Sequence, residues 1–151
     1  MKKIALRLAL LITVISSTSC KTYSDDDKKS FDQQIEEYLT KHKIKCERSE
    51  SGLYYKIIKE GKGKKIQYTD NVSFTYKGKL ITGFVFDHQK KPITFAVKEL
   101  IAGWKEILLK VKPGSEVFLI VPPSLGYGKN DLDDIPPNSI LVFNMEVRDV
   151  Q

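Results

Sequence analysis

Beyond Gly52 the chain is dominated by a two-residue period. Val72, Phe74 and Tyr76 alternate with Ser73, Thr75 and Lys77, and Ile93, Phe95 and Val97 repeat the spacing. A period of two belongs to half-buried strands, whose successive side chains point to opposite faces. Leu53–Lys59 and Ile140–Val147 are further β-rich runs, and Glu116–Val121 reads as a buried strand ended by Pro122-Pro123. One segment breaks the pattern: Leu100, Ile101, Trp104, Ile107, Leu108 and Val111 recur at helical spacing and stop before Pro113-Gly114. Gly61 to Lys65 reads as a flexible basic turn, and residues 124–138 as a long polar loop. About five strands with one helix among them predict an α+β fold, with the helix covering one face of a mostly antiparallel sheet.

No disulfide can support that fold. Of two cysteines, Cys20 lies at the end of a leader-like segment, leaving Cys46 without an internal partner. Cys46 is read as a small, partly buried residue. Residues 1–19 read as a secretory signal: Lys2 and Lys3, then a mostly apolar Ile4–Ile15, then Ser16 to Ser19 before Cys20. The arrangement resembles a bacterial lipoprotein signal. It implies lipidation of Cys20 and a chain held outside the cytoplasm on a bacterial membrane, expected to be the outer membrane, facing the periplasm or the cell surface. The formal charge of +6 is partly the leader's, because Lys2, Lys3 and Arg7 fall where there is no acid. The remaining lysines are scattered, which argues against nucleic acid as a partner.

Residues 20–29, with Asp25-Asp26-Asp27 and Lys28-Lys29, read as a solvated tether. Residues 30–50 read as a helix and linker. Ser30 and Gln33 have the spacing of a capping box, and Phe31, Ile35, Tyr38, Leu39 and His42 form a narrow face that could dock on the domain or on a partner. Residues 51–151 then form the main domain.

Within that domain seven phrases follow one another: Ser51-Gly52-Leu53, Phe74-Thr75-Tyr76-Lys77-Gly78, Phe86-Asp87, Glu99-Leu100-Ile101-Ala102-Gly103-Trp104, Leu125-Gly126-Tyr127-Gly128, Ile135-Pro136-Pro137 and Leu141-Val142-Phe143-Asn144-Met145-Glu146-Val147. In this order and spacing, residues 52–149 resemble the FKBP-type peptidyl-prolyl cis-trans isomerases. The resemblance implies a curled antiparallel sheet wrapped around the short helix, and an aromatic pocket that receives proline. It makes Trp104 the floor and Tyr76, Phe86 and Phe143 the walls. Leu100 and Ile101 become the rim, with the Ile101 N–H holding a substrate carbonyl. Tyr127 offers a hydroxyl, Ile135 closes the loop side, Ile93 stands at a further wall position, and Asp87 orders Tyr76. Proline-containing polypeptides and macrolide inhibitors are the implied ligands, with no cofactor and no metal. Two alternatives to catalysis stand beside this reading. One is a binding module or chaperone, motivated by departures from the family in the 88–93 and 129–134 loops. The other, from the resemblance to FKBP-type lipoproteins of this organisation, is an accessory lipoprotein of a surface machine such as gliding or secretion.

The residue types suit the implied reaction. Rotation about X–Pro must break amide resonance against a barrier of about 18–20 kcal/mol. The twisted amide has less charge separation than the planar one, so a dry aromatic pocket favours it without a covalent step. Aromatic residues outside the phrases default to core, which assigns Phe95 and Phe118 there. His88 adjoins Asp87, but rotation transfers no proton, so it is read as a solvent-facing loop residue. Asp131, Asp133 and Asp134 lack the glycine and terminal glutamate of an EF-hand loop. The chain departs from the family at His88–Pro92, which carries no arginine, and at the acidic stretch Lys129–Asp134. Both departures bear on substrate preference and macrolide affinity rather than on fold.

Overall fold

The computed structural model describes residues 22–151. The signal segment, Cys20 and the first residues of the tether lie outside the described residues. The elements run α1 (Asp25–His42), β1 (Glu47–Arg48), β2 (Tyr54–Lys59), β3 (Asn71–Leu80), β4 (Val85–Ala96), α2 (Ala102–Leu108), β5 (Glu116–Val121) and β6 (Leu141–Val150).

The first helix begins earlier than its sequence suggests. Ser24, not Ser30, is the cap: its hydroxyl accepts the Asp27 N–H at 3.1 Å, and the Asp27 carboxylate accepts the Ser24 N–H at 3.1 Å. The acidic run read as tether therefore forms the first turn. Three carboxylates there complement the unpaired N–H groups and the positive end of the helix dipole. Lys43, with φ 55°, ends the helix.

The strands form one antiparallel sheet in the order β1-β2-β5-β6-β3-β4. The sixth strand beyond the expected five is β1, only two residues long. Strand β4 runs through His88–Pro92 as one twelve-residue edge strand, so His88 lies in a strand opposite Lys77 and not in a loop. Helix α2 is shorter than the apolar period implied, because Leu100 and Ile101 are extended and only Ala102–Leu108 are helical.

Both faces of the sheet carry a core. On one face α2 packs Trp104, Ile107 and Leu108 against Val72, Phe74, Val117, Leu119, Phe143 and Val147. Gly103 permits the close approach, since a Cβ there would stand 2.9 Å from Val121 Cγ1 and 3.3 Å from Leu53 Cδ1. On the other face α1 docks Ile35, Tyr38 and Leu39 on Tyr54, Phe118, Ile120, Ile140 and Val142. The narrow face of α1 is thus a domain contact, and Phe118 is core on this second side. Ile35→Ala is expected to cost about 2–4 kcal/mol, since the side chain is fully buried; the shift in a urea denaturation midpoint measures it.

Ser115 is a fully buried polar residue at the β5 entrance. Its Oγ accepts the Gly61 N–H at 2.8 Å and the Lys112 N–H at 3.4 Å, locking the β2–β3 connection against the turn that follows α2.

Candidate active site

The sheet and α2 leave a cleft of about 530 Å³ between them. Tyr76, Phe86, Asp87, Leu100, Ile101, Trp104, Tyr127, Ile135 and Phe143 all line it. Nine of the ten pocket residues named from sequence therefore meet at one place, although they come from β3, β4, α2, β6 and the loops between elements.

Trp104 forms the centre of the aromatic set. Its ring lies edge-to-face with Phe74 at 5.1 Å, Tyr76 at 4.9 Å and Phe143 at 5.0 Å, near-perpendicular in each case. Phe86 stands edge-on to Phe143 at 5.7 Å. Such crossed arrangements match positive ring edges to negative faces. Gly78 makes room for two of the rings: a Cβ there would lie 2.7 Å from Phe86 and 2.8 Å from Phe143. Gly78 pairs with Phe143 on one side and Asp87 on the other. A register shift between Gly78 and Lys79 follows, and such a bulge re-aims side chains. It allows the consecutive residues Phe86 and Asp87, which a regular strand would send to opposite faces, to reach the same cleft.

The polar edge is organised around Asp87. The Tyr76 hydroxyl donates to its carboxylate. Burial, then that hydrogen bond and the Asp87 charge, hold the Tyr76 phenol well above the ordinary tyrosine range. Burial and, second, the Asp87 charge raise Tyr127 as well. Both phenols remain protonated donors at neutral pH. The Trp104 indole N–H is buried with no partner among the described residues. The Ile101 N–H likewise donates to none of them, while its carbonyl accepts from Trp104 at 3.0 Å and Lys105 at 3.1 Å.

The loop bearing Tyr127 and Ile135 is tied down at its base. The Asn138 N–H donates to the Gly128 carbonyl at 2.8 Å, and the Tyr23 hydroxyl donates to Asn138 Oδ1 at 2.8 Å. The residue preceding the α1 cap thus braces a pocket loop.

One wall residue is corrected. Ile93 is half-buried against the main core and does not line the cleft, whereas Phe95 does, and it is 41% exposed. Phe95 stacks on Phe74 at 6.2 Å with an interplanar angle of 20°. Ile93 and Phe95 share a face, but only the longer ring reaches the cavity. Phe95 is therefore not the core residue expected of an aromatic outside the family phrases. Glu99, Leu132, Asp133 and Asp134 also line the cleft; Glu99 opens the phrase that carries Leu100, Ile101 and Trp104, and for the other three the acidic composition of the 129–134 loop is the only sign in the sequence. Among the described residues no group of three or more His, Cys, Asp or Glu is placed to hold a metal ion.

Comparison with known proteins agrees with this geometry. FkpA of Escherichia coli, an FKBP-type peptidyl-prolyl cis-trans isomerase, is 38% identical over 143 residues, which is 91% of this chain and 52% of that protein. A Haemophilus influenzae protein named as a probable FKBP-type peptidyl-prolyl cis-trans isomerase is 44% identical over 106 residues, 68% of this chain and 44% of its own. The chain spans about half the length of the curated relatives it matches. The crystal structure of FkpA from Escherichia coli superposes with a TM-score of 0.73 at 37% identity, covering 83% of this chain and 62% of that one. That of AtFKBP13 gives 0.65 at 31% identity, covering 72% of this chain and 100% of that one. The family profile for FKBP-type peptidyl-prolyl cis-trans isomerases matches residues 62–148, and this chain belongs to that family.

Proposed function

We propose that the chain is a peptidyl-prolyl cis-trans isomerase that accelerates X–Pro rotation in polypeptides outside the cytoplasm. The observation that carries this reading is the cleft itself: an indole floor, three aromatic walls and a Tyr76–Asp87 pair. In it the proline ring rests on Trp104 while the twisting carbonyl leaves its water and meets the protonated phenols at the edge. Stabilisation of the less charge-separated twisted amide lowers the barrier. The free peptide's cis/trans ratio is unchanged.

The test is cis-to-trans conversion of a Leu-Pro peptide followed in real time. The parent protein is expected to accelerate it. Asp87→Asn is expected to lower kcat/KM by about tenfold, because a charge-assisted hydrogen bond contributes roughly 1.5–3 kcal/mol. A parent protein that leaves the rate at its uncatalysed value would overturn the reading. Macrolide inhibitors compete for the same cleft in this account.

A holding function shares the site. Phe95 and Leu132, each 41% exposed, extend the apolar cleft outward onto the surface. That surface suits capture of unfolded chain, and suppression of aggregation that survives Asp87→Asn would distinguish holding from turnover. Lipidation at Cys20 anchors the domain to the membrane on this reading, and Cys20→Ser is expected to move the protein to the soluble fraction.

A further inference from the structure

The charged side chains that line the cleft are all of one sign. Asp87, Glu99, Asp133 and Asp134 line it, and no Lys, Arg or His does. This contrasts with a chain that remains net basic even without the charges of its leader. Among the described residues none of the four is in an ion pair; the chain's salt bridges lie elsewhere. Lys129, the basic residue at the start of the acidic loop, is turned away, its ammonium 5.2 Å from the Tyr23 ring centre. Asp87 is engaged by Tyr76, which leaves Glu99, Asp133 and Asp134 as exposed, uncompensated carboxylates at the mouth of an apolar site.

Two further observations bear on the ligand that meets these carboxylates. Among the described residues the Trp104 indole N–H is a buried donor without a partner, on a residue only 6% exposed that lines the cleft, so the site holds one unsatisfied donor beside its acids. Phe95 and Leu132 are exposed apolar surface beside the acids. A lysine or arginine side chain can lay its aliphatic stem along such surface and keep its charged end in water, and a cation above an aromatic face gains further attraction.

We propose that the cleft selects X–Pro segments carrying a lysine or arginine within a residue or two of the proline. The inference rests on the isomerase reading for its kinetic form but not for its binding form. Clefts lined by one sign of charge focus their field and raise the local concentration of the opposite charge. Each surface carboxylate that a bound cation approaches contributes a factor of about two to three in water-like surroundings.

The experiment uses three peptides that share a Leu-Pro core and differ only in a flanking Lys, Gln or Glu. Turnover is read as kcat/KM. Binding is read separately from the fluorescence of Trp104, the only tryptophan of the chain. At low ionic strength the Lys peptide is expected to exceed the Gln peptide by roughly tenfold in both, with the Glu peptide below the Gln peptide by a similar factor. Half-molar salt is expected to reduce that ratio to about two. The combined substitution Glu99→Gln, Asp133→Asn and Asp134→Asn is expected to bring it near one, with a circular dichroism spectrum like the parent's. Equal binding and turnover of all three peptides at low salt would overturn the selectivity and leave the isomerase reading intact. So would a ratio that the triple variant retains. Tighter binding of the Lys peptide without acceleration would uphold the selectivity and remove the isomerase reading. Absence of both binding and turnover would overturn both.

Discussion

Trp104→Ala is expected to lower the stability of the fold by about 3–5 kcal/mol and to remove measurable acceleration of X–Pro rotation. The indole is at once floor and core. It meets Phe74, Tyr76 and Phe143 at ring distances between 4.9 and 5.1 Å, so its removal leaves a void bordered by three rings that cannot all collapse inward. For a domain of this size the loss corresponds to a fall in Tm on the order of 10 °C. Differential scanning calorimetry measures the first effect and the peptide assay the second. Trp104→Phe separates them, because it retains much of the packing but shortens the platform. It is expected to recover most of the stability and only part of the activity. An alanine variant that melts with the parent would show that the indole is not part of the core.

Gly61→Ala is expected to destabilise by about 3 kcal/mol or more, the upper end of overpacking effects. The added Cβ would lie 2.2 Å from the Pro113 carbonyl oxygen, 2.5 Å from that of Lys112 and 2.7 Å from the Ser115 nitrogen. These are backbone atoms and no rotamer change moves them. The strand connection would have to lift, and with it would go the Gly61 N–H to Ser115 Oγ and Lys62 N–H to Pro113 carbonyl hydrogen bonds. Gly63→Ala is the control. Gly63 has φ +100°, and a methyl added there would meet nothing within 4 Å, so only backbone strain of about 1 kcal/mol is expected. Chemical denaturation of the two variants side by side gives the comparison, and equal midpoints would contradict the close approach.

That pair also illustrates what a sequence conceals. Gly61-Lys62-Gly63 reads as one flexible turn, yet the first glycine is wedged against the distant turn at Lys112–Ser115 and the second faces open space. The strand period, the helix bearing Trp104 and the docking face of α1 are local patterns, and each is visible in the order of residues. The start of α1 is ambiguous in sequence because an acidic run has two local meanings, solvated tether and helix N-terminus. The reciprocal hydrogen bonds of Ser24 and Asp27 decide between them. The placement of Phe95 over Ile93 in the cleft depends on side-chain reach from the paired strands, where Phe95 stands opposite Val72 and Ile93 opposite Phe74. The family phrases carry the nine lining residues because the resemblance encodes their three-dimensional convergence. Asp133 and Asp134 lie in the cleft through loop geometry that no period announces.

Strand β4 has a consequence for life in a crowded compartment. It is the long outer edge of the sheet, twelve residues with one side of its backbone unpaired, a form that invites another chain to extend the ladder. The stretch His88–Pro92 guards it. Pro92 has no N–H to offer a neighbour, the bulge there interrupts a flat register, and Lys90 and Lys91 set like charges against like in any self-pairing. A segment that departs from the family thereby guards the exposed edge of the sheet against pairing with another chain.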